Sequence, residues 1–224
     1  PISDKIELNI LHQNSHQAEK NKVKFNNYNL LCLNIMSSPG AGKTRLLEIT
    51  LEDLSKKFHS AVLEGDMTTN LDAARLEKLN IPVVPITTGR ACHLDANMVS
   101  GGLKLLEKKI NPDLLDILLV ENVGNLVCPA EFEIGEHFKV ALLSITEGED
   151  KPLKYPIMFR EADLILITKV DLLPHLNFDI NELKSNIAST NPKADVIEIS
   201  SITKSGFDLW QDWISKKILK FKNN

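Results

Sequence analysis

A chain of 224 residues can hold one large α/β domain with an appendage, and its 43% hydrophobic and 25% charged residues exclude a disordered or fibrous protein. With 26 basic and 30 acidic residues the formal net charge is -4, which leaves no general footprint for nucleic acid or an anionic membrane.

The chain starts polar. Pro1 to Lys24 has no signal-peptide core, and no later apolar run approaches the ~20 residues of a membrane span. Cys32, Cys92 and Cys128 are too few and too scattered for a disulfide framework, which points to a reducing compartment. The expectation is a cytoplasmic protein with no nucleic-acid and no membrane partner. Ile6, Ile10, Leu11, Ala18 and Val23 are spaced loosely for one apolar helical stripe before the turn Asn26-Asn27-Tyr28-Asn29. They predict an N-terminal helical extension over 1–27, ahead of a main domain over 28–224. Short apolar runs then predict strands near 30–36, 61–65, 82–86, 116–121, 139–145, 163–168 and 195–199. Between them, amphipathic stretches predict helices near 43–57, 71–79, 94–109, 179–189 and 207–220. Continuous runs such as Ile117 to Val120 and Leu164 to Ile167 suit strands buried on both faces, so the alternation implies a doubly wound, mostly parallel α/β sheet. Such a sheet binds ligands beyond the carboxyl ends of its strands. Cys32, inside Leu30-Leu31-Cys32-Leu33, reads as a small buried hydrophobe.

The first strand runs into Ser37-Ser38-Pro39-Gly40-Ala41-Gly42-Lys43-Thr44 and then the helical Arg45-Leu46-Leu47. Strand, glycine-rich turn and helix are the context of a P-loop. The glycines let the loop from Pro39 to Arg45 close on a phosphate with the N–H groups of residues 40–45 facing its oxygens, Lys43 reaches the β- and γ-phosphates, and the Thr44 hydroxyl binds magnesium. Ser37 stands where the pattern usually has its first glycine. Two later strands end in carboxylates, at Glu64-Gly65-Asp66 and Glu121-Asn122-Val123-Gly124. Asp66 and Glu121 are the candidates to hold magnesium, directly or through water, and the Gly124 N–H is placed to approach the γ-phosphate.

After the strand Leu164 to Ile167 comes Thr168-Lys169-Val170-Asp171. An aspartate here accepts hydrogen bonds from guanine N1 and N2, donors that adenine lacks, while the lysine stem covers the base. Asp171 therefore favours GTP over ATP. Thr168 replaces the asparagine usual in Asn-Lys-x-Asp, which removes an amide that tethers this loop. Ser200-Ser201-Ile202 follows the last strand, where a backbone N–H can read guanine O6.

Cys92 and His93 are adjacent, and Cys128-Pro129 follows the Glu121 segment. Two thiols and one imidazole suit zinc or nickel, and three ligands fall one short of a tetrahedral set. A two-fold dimer would bring six.

Together the 37–44 loop, Glu64-Gly65-Asp66, Cys92-His93-Leu94-Asp95-Ala96, Glu121-Asn122-Val123-Gly124-Asn125-Leu126-Val127-Cys128-Pro129 and Lys169-Val170-Asp171-Leu172-Leu173-Pro174 resemble the HypB family of GTPases, which help deliver nickel during [NiFe]-hydrogenase maturation. The resemblance implies a SIMIBI-like P-loop fold and slow hydrolysis of GTP to GDP. It also implies a nucleotide- and metal-dependent homodimer, a nickel-binding accessory protein as partner, and a nickel or zinc site at the dimer interface from Cys92, His93 and Cys128. Some members add an N-terminal Cys-rich or His-rich nickel motif; the first 31 residues here hold no cysteine and only His12 and His16. Two other readings are a urease-type nickel-insertion GTPase, whose Cys-Pro-His motif is not matched by Cys128-Pro129-Ala130, and a non-catalytic metal-binding protein on a nucleotide fold.

Overall fold

The computed structural model describes residues 2–66, 76, 78–89 and 91–223, with the side chains of residues 2–8 and 66 left aside. The helix expected at 71–79 falls almost wholly outside the described residues, which there include the buried Leu76 and a turn at 78–80.

Among the described residues the strands are β1 (Leu31–Ser37), β2 (Ser60–Asp66), β3 (Val83–Thr87), β4 (Ile117–Glu121), β5 (Phe138–Ser144), β6 (Leu164–Thr168) and β7 (Asp195–Ile199). The main helices are α1 (Ile2–Asn27), α2 (Lys43–Leu54) and α3 (Ala96–Lys109). They continue with the short α4 (Cys128–Glu131), α5 (Lys151–Lys154) and α6 (Pro156–Glu161), then α7 (Ile180–Thr190) and α8 (Phe207–Lys222). The strands form one sheet in the order β3-β2-β4-β1-β5-β6-β7, every pair parallel. The doubly wound architecture read from the apolar runs is the one observed. From β1 the chain winds out to β2 and β3, returns to β4, then crosses to β5 on the other side. The turn after β1 therefore lies at the switch point, where the order reverses and a crevice opens.

Strand periodicity sorts the core into two faces, because successive side chains point to opposite sides. Leu31, Leu33 and Ile35 of β1, Ile117 and Leu119 of β4 and Leu164 and Leu166 of β6 pack with α2 and α8. Their neighbours Cys32, Leu118 and Val120 pack under α3 and Phe25 of α1. On the same side Ile165 and Ile167 pack under Met158, Phe159, Leu183 and Ile187 of α6 and α7. Cys32 is buried, as its apolar run implies. The last helix is pinned by two indoles: Trp210 donates to Thr50 Oγ1 at 2.9 Å and Trp213 to Asp195 Oδ2 at 2.8 Å.

The packing face of α1 differs from the stripe expected. Ile10 and Val23 are exposed, whereas Ala18 of that stripe is buried, together with Asn14, Asn21 and Phe25. Their spacing puts them on one face. Asn14 Oδ1 accepts the Ala96 N–H at 2.9 Å and its Nδ2 donates to the Glu133 carbonyl at 2.8 Å. Asn21 Nδ2 donates to the carbonyls of Ala96 at 2.8 Å and Ile134 at 2.9 Å. Ala96 opens α3, where the first N–H groups have no intrahelical acceptor, so a polar face suits this contact better than an apolar one.

Candidate nucleotide and metal site

The turn between β1 and α2 is shaped by Gly40, at φ 77°, and Gly42, at φ 97°. A Cβ at either would meet nothing within 4 Å, so glycine is required there by the left-handed backbone and not by space. Lys43 is buried in the first turn of α2, and its Nζ donates to Ser37 Oγ at 2.8 Å. The serine that replaces the usual glycine thus holds the lysine toward the loop. The Thr44 hydroxyl donates to Glu121 Oε1 at 2.8 Å, which joins the start of α2 to the end of β4. Arg45 is exposed and pairs with Glu48 at 3.0 Å.

Two strand tips bring further carboxylates to this edge. Glu121 is buried at the last position of β4. Beside it in the parallel register is Glu64 of β2, 2% exposed, a residue that sequence reasoning passed over in favour of Asp66. The signal that could have found Glu64 is its level with Glu121, which only strand pairing reveals. Asp66 ends β2 next to Thr87 of β3, and its side chain is outside the described residues. Gly124 lies against Pro39: a Cβ would come within 2.9 Å of the Pro39 Cα, so the 122–125 segment can approach the loop only with glycine there.

The loop Thr168-Lys169-Val170-Asp171 folds back onto the same turn. Thr168 donates to the Ala41 carbonyl at 2.9 Å, so the hydroxyl supplies a tether that the missing asparagine was expected to take away. Lys169, at φ 61°, donates to the Gly40 carbonyl at 2.8 Å. Asp171 Oδ1 accepts from Ser200 Oγ at 2.5 Å, and Ser200 Oγ in turn accepts the N–H of Ile202 and of Thr203, each at 3.1 Å. These bonds bring residues 168–171 and 200–203 together beside the P-loop. Ser201 is half-buried in that turn, and Ile202 is 78% exposed.

Across the same edge, the segment after β3 and the start of α4 meet through sulfur. Cys92 and Cys128 are free thiols with Sγ atoms 3.2 Å apart, and Cys92 Sγ lies 3.7 Å from His93 Nδ1. All three potential ligand atoms fall within 4.8 Å of one another. Spacing alone could not join residues 36 positions apart; the fold does. The His93 ring packs on Phe132 with centroids 4.1 Å apart, a contact the sequence did not signal. Burial lowers the His93 pKa, against the pull of Asp95 and Glu131, and keeps a neutral imidazole with a lone pair to give. Burial and the contact with Cys92 raise the Cys128 pKa, so a metal must displace a proton to bind that sulfur.

A phosphate loop at the switch point of a parallel sheet, carboxylates at the neighbouring strand tips and an aspartate-bearing loop beside it define a protein of the P-loop GTPase class. Residues 31–198 match the CobW/HypB/UreG nucleotide-binding domain. The hydrogenase maturation factor HypB of Azotobacter vinelandii is 48% identical over 95% of this chain and 69% of its own length. A crystal structure of HypB from Helicobacter pylori in complex with nickel is 39% identical, with a TM-score of 0.88 over 93% of this chain and 96% of that one. HypB from Archaeoglobus fulgidus is 37% identical, with a TM-score of 0.85 over 92% and 99%. The chain belongs to the HypB family of hydrogenase maturation factors.

Proposed function

We propose that this chain is a GTP-hydrolysing nickel metallochaperone that couples its nucleotide state to nickel delivery during hydrogenase maturation. The observation that carries the reading is the Cys92, His93 and Cys128 cluster, joined by seven residues of chain to Glu121, which already holds Thr44 of the phosphate loop.

The phosphates of GTP sit in the loop from Pro39 to Arg45, against the N–H groups of residues 40–45 and the N-terminal end of α2. Lys43 leaves Ser37 for the β- and γ-phosphates and neutralises the charge that passes to the leaving oxygen as its bond to the γ-phosphorus breaks. The Thr44 hydroxyl and the buried Glu121 carboxylate are hard oxygen donors of the kind magnesium takes, and they fit it; in this reading Asp66, the last residue of β2, joins them. Held by these residues, magnesium would supply positive charge to the phosphates. Gly124 offers its N–H to the γ-phosphate from the segment packed on Pro39. Asp171, freed from Ser200, accepts from guanine N1 and N2, Lys169 covers the base, and the turn at Ser200, Ser201 and Ile202 gives a backbone N–H to O6. Hydrolysis is slow, as suits a switch.

Nickel is the cargo. Two thiolates and a neutral imidazole are borderline-soft ligands for it, zinc being the competing ion. A second copy of the chain completes the coordination in a GTP-dependent homodimer, and a nickel-binding accessory protein is the partner. The reduced thiols suit the cytoplasm. No helix among the described residues is long and apolar enough to cross a membrane. The urease-type reading ranks second because its Cys-Pro-His motif is absent at Cys128-Pro129-Ala130. Nickel titration of the purified chain, once with a nonhydrolysable GTP analogue and once with GDP, tests the proposal. Nickel affinity is expected to differ between the two by roughly 5- to 150-fold. Equal affinity would leave the two sites uncoupled and remove the chaperone reading.

A further inference from the structure

Asn122 and Asn125 stand one and four residues after Glu121, and each turns toward the loop that carries Cys92 and His93. Asn122 Oδ1 accepts the N–H of Leu94 at 2.9 Å and of Val123 at 2.9 Å, while its Nδ2 donates to Asn34 Oδ1 at 3.1 Å. Asn125 Nδ2 donates to the Cys92 carbonyl at 3.3 Å, and its Oδ1 accepts the Val127 N–H at 2.8 Å. The Cys92 carbonyl belongs to the peptide unit before His93, and the Leu94 N–H to the unit after it. The two asparagines therefore grip both peptide units that flank the imidazole.

Their own backbones are fastened to β1. The Asn122 N–H donates to the Ile35 carbonyl at 3.0 Å and the Asn125 N–H to the Ser37 carbonyl at 2.8 Å, on the strand that runs into the P-loop. Gly124, between them, lies against Pro39. Leu94 is fully buried, with its side chain against Gly65 of β2, so the metal loop is anchored on its far side.

We infer that Asn122 and Asn125 are positioning residues, a bracket through which movement of the 121–125 segment reaches Cys92 and His93. The inference rests on the nickel reading above and says how that site is regulated. Cys128 follows the segment through the covalent chain, whereas Cys92 and His93 lie on a separate loop and follow it through these two amides. With the bracket intact, both halves of the cluster answer a change at Glu121 or Gly124 together. Without it, only the Cys128 half does, and the relation between the halves no longer reports the nucleotide.

Asn125 is the residue to vary, because it is half-buried and Asn122 is 1% exposed. Asn125→Asp loses the donor to Cys92 and keeps the acceptor for Val127; Asn125→Ala loses both. Nickel(II) is titrated into the parent and both variants, each with a nonhydrolysable GTP analogue and with GDP, and the ratio of the two affinities is the readout. Charge near the metal or general loosening changes both affinities alike and leaves their ratio standing. The expected result is a parental ratio of roughly 5-fold or more that falls toward 1 in both variants. A parental ratio kept in both variants, even with weaker nickel binding in each state, overturns the bracket while the chaperone reading stands. A parent with no ratio overturns that reading, and the bracket falls with it.

Discussion

The phosphate loop and the thiol–imidazole cluster share one edge of the sheet, yet they are built in different ways. The phosphate loop is contiguous, and backbone conformation shapes it: two left-handed glycines, a helix start and main-chain acceptors for Thr168 and Lys169. The cluster is assembled from two segments far apart in sequence, and its shape depends on side chains and on hydrogen bonds between loops. A site of the first kind holds its form with or without its ligand. The second kind can be reset by a small shift of one segment, which is the property a release device needs.

The sharpest way to separate the two regions is to remove charge from the rigid one. Lys43→Ala is expected to lower the turnover of GTP by roughly 10²–10³, the range for losing one preorganised group that meets transition-state charge. Nickel binding to the GDP form should be spared. Phosphate release with magnesium present, followed on both proteins, checks this, and equal turnover would remove Lys43 from the mechanism.

Acid should act on the metal cluster and on the scaffold beneath both regions in separate windows. The raised pKa of Cys128 means that protons compete for its sulfur throughout the neutral range, so nickel affinity should fall as pH drops, by up to about 10-fold per pH unit for the proton displaced there. His93, whose pKa is lowered by burial, adds its competition at a lower pH than an ordinary histidine would. The scaffold responds later. His137 accepts the Cys32 N–H at Nδ1, meets Asn26 Oδ1 at Nε2, and has its pKa lowered to about 4, chiefly by burial. Its neutral form is favoured by folding, so its contribution is complete above the unfolded value near 6.5 and is lost as pH falls through about 4. After allowance for partial exposure that is about 1–3 kcal/mol. Denaturant melts between pH 7 and 4, beside nickel titrations between pH 8 and 6.5, distinguish proton competition from loss of the fold. Coincident transitions would contradict the separation.

The two regions also differed in how far the sequence disclosed them. Ile117 to Val120 and Leu164 to Ile167 could be read directly as buried strands, since a continuous apolar run of that length has few other places to go. The strand-glycine-helix context did the same for Gly40, Gly42 and Lys43. Cys92, His93 and Cys128 were candidates by residue type, but their meeting depends on β3 and β4 ending at the same edge. Glu64, Asn122 and Asn125 were legible only as members of the motifs that carry the family resemblance, with no role assigned, and Phe132 not at all, because their importance lies in long-range partners that periodicity does not encode. The face of α1 was misread for the same reason: Asn14 and Asn21 are buried against backbone groups of α3 and of the 133–134 segment, and polarity suggested exposure.

That an adjustable metal cluster answers to a rigid nucleotide site is tested most directly by sedimentation of the parent and Cys128→Ser with nickel, in the presence of a nonhydrolysable GTP analogue or GDP. The expected result is that nickel and the analogue together drive the parent to a dimer. The variant should lose the nickel-dependent part, with a fall in nickel affinity larger than the roughly 10–100-fold that outer-shell changes cost, and should keep its nucleotide binding. The same nickel response in parent and variant would contradict the account, because the cluster would then bind no cargo.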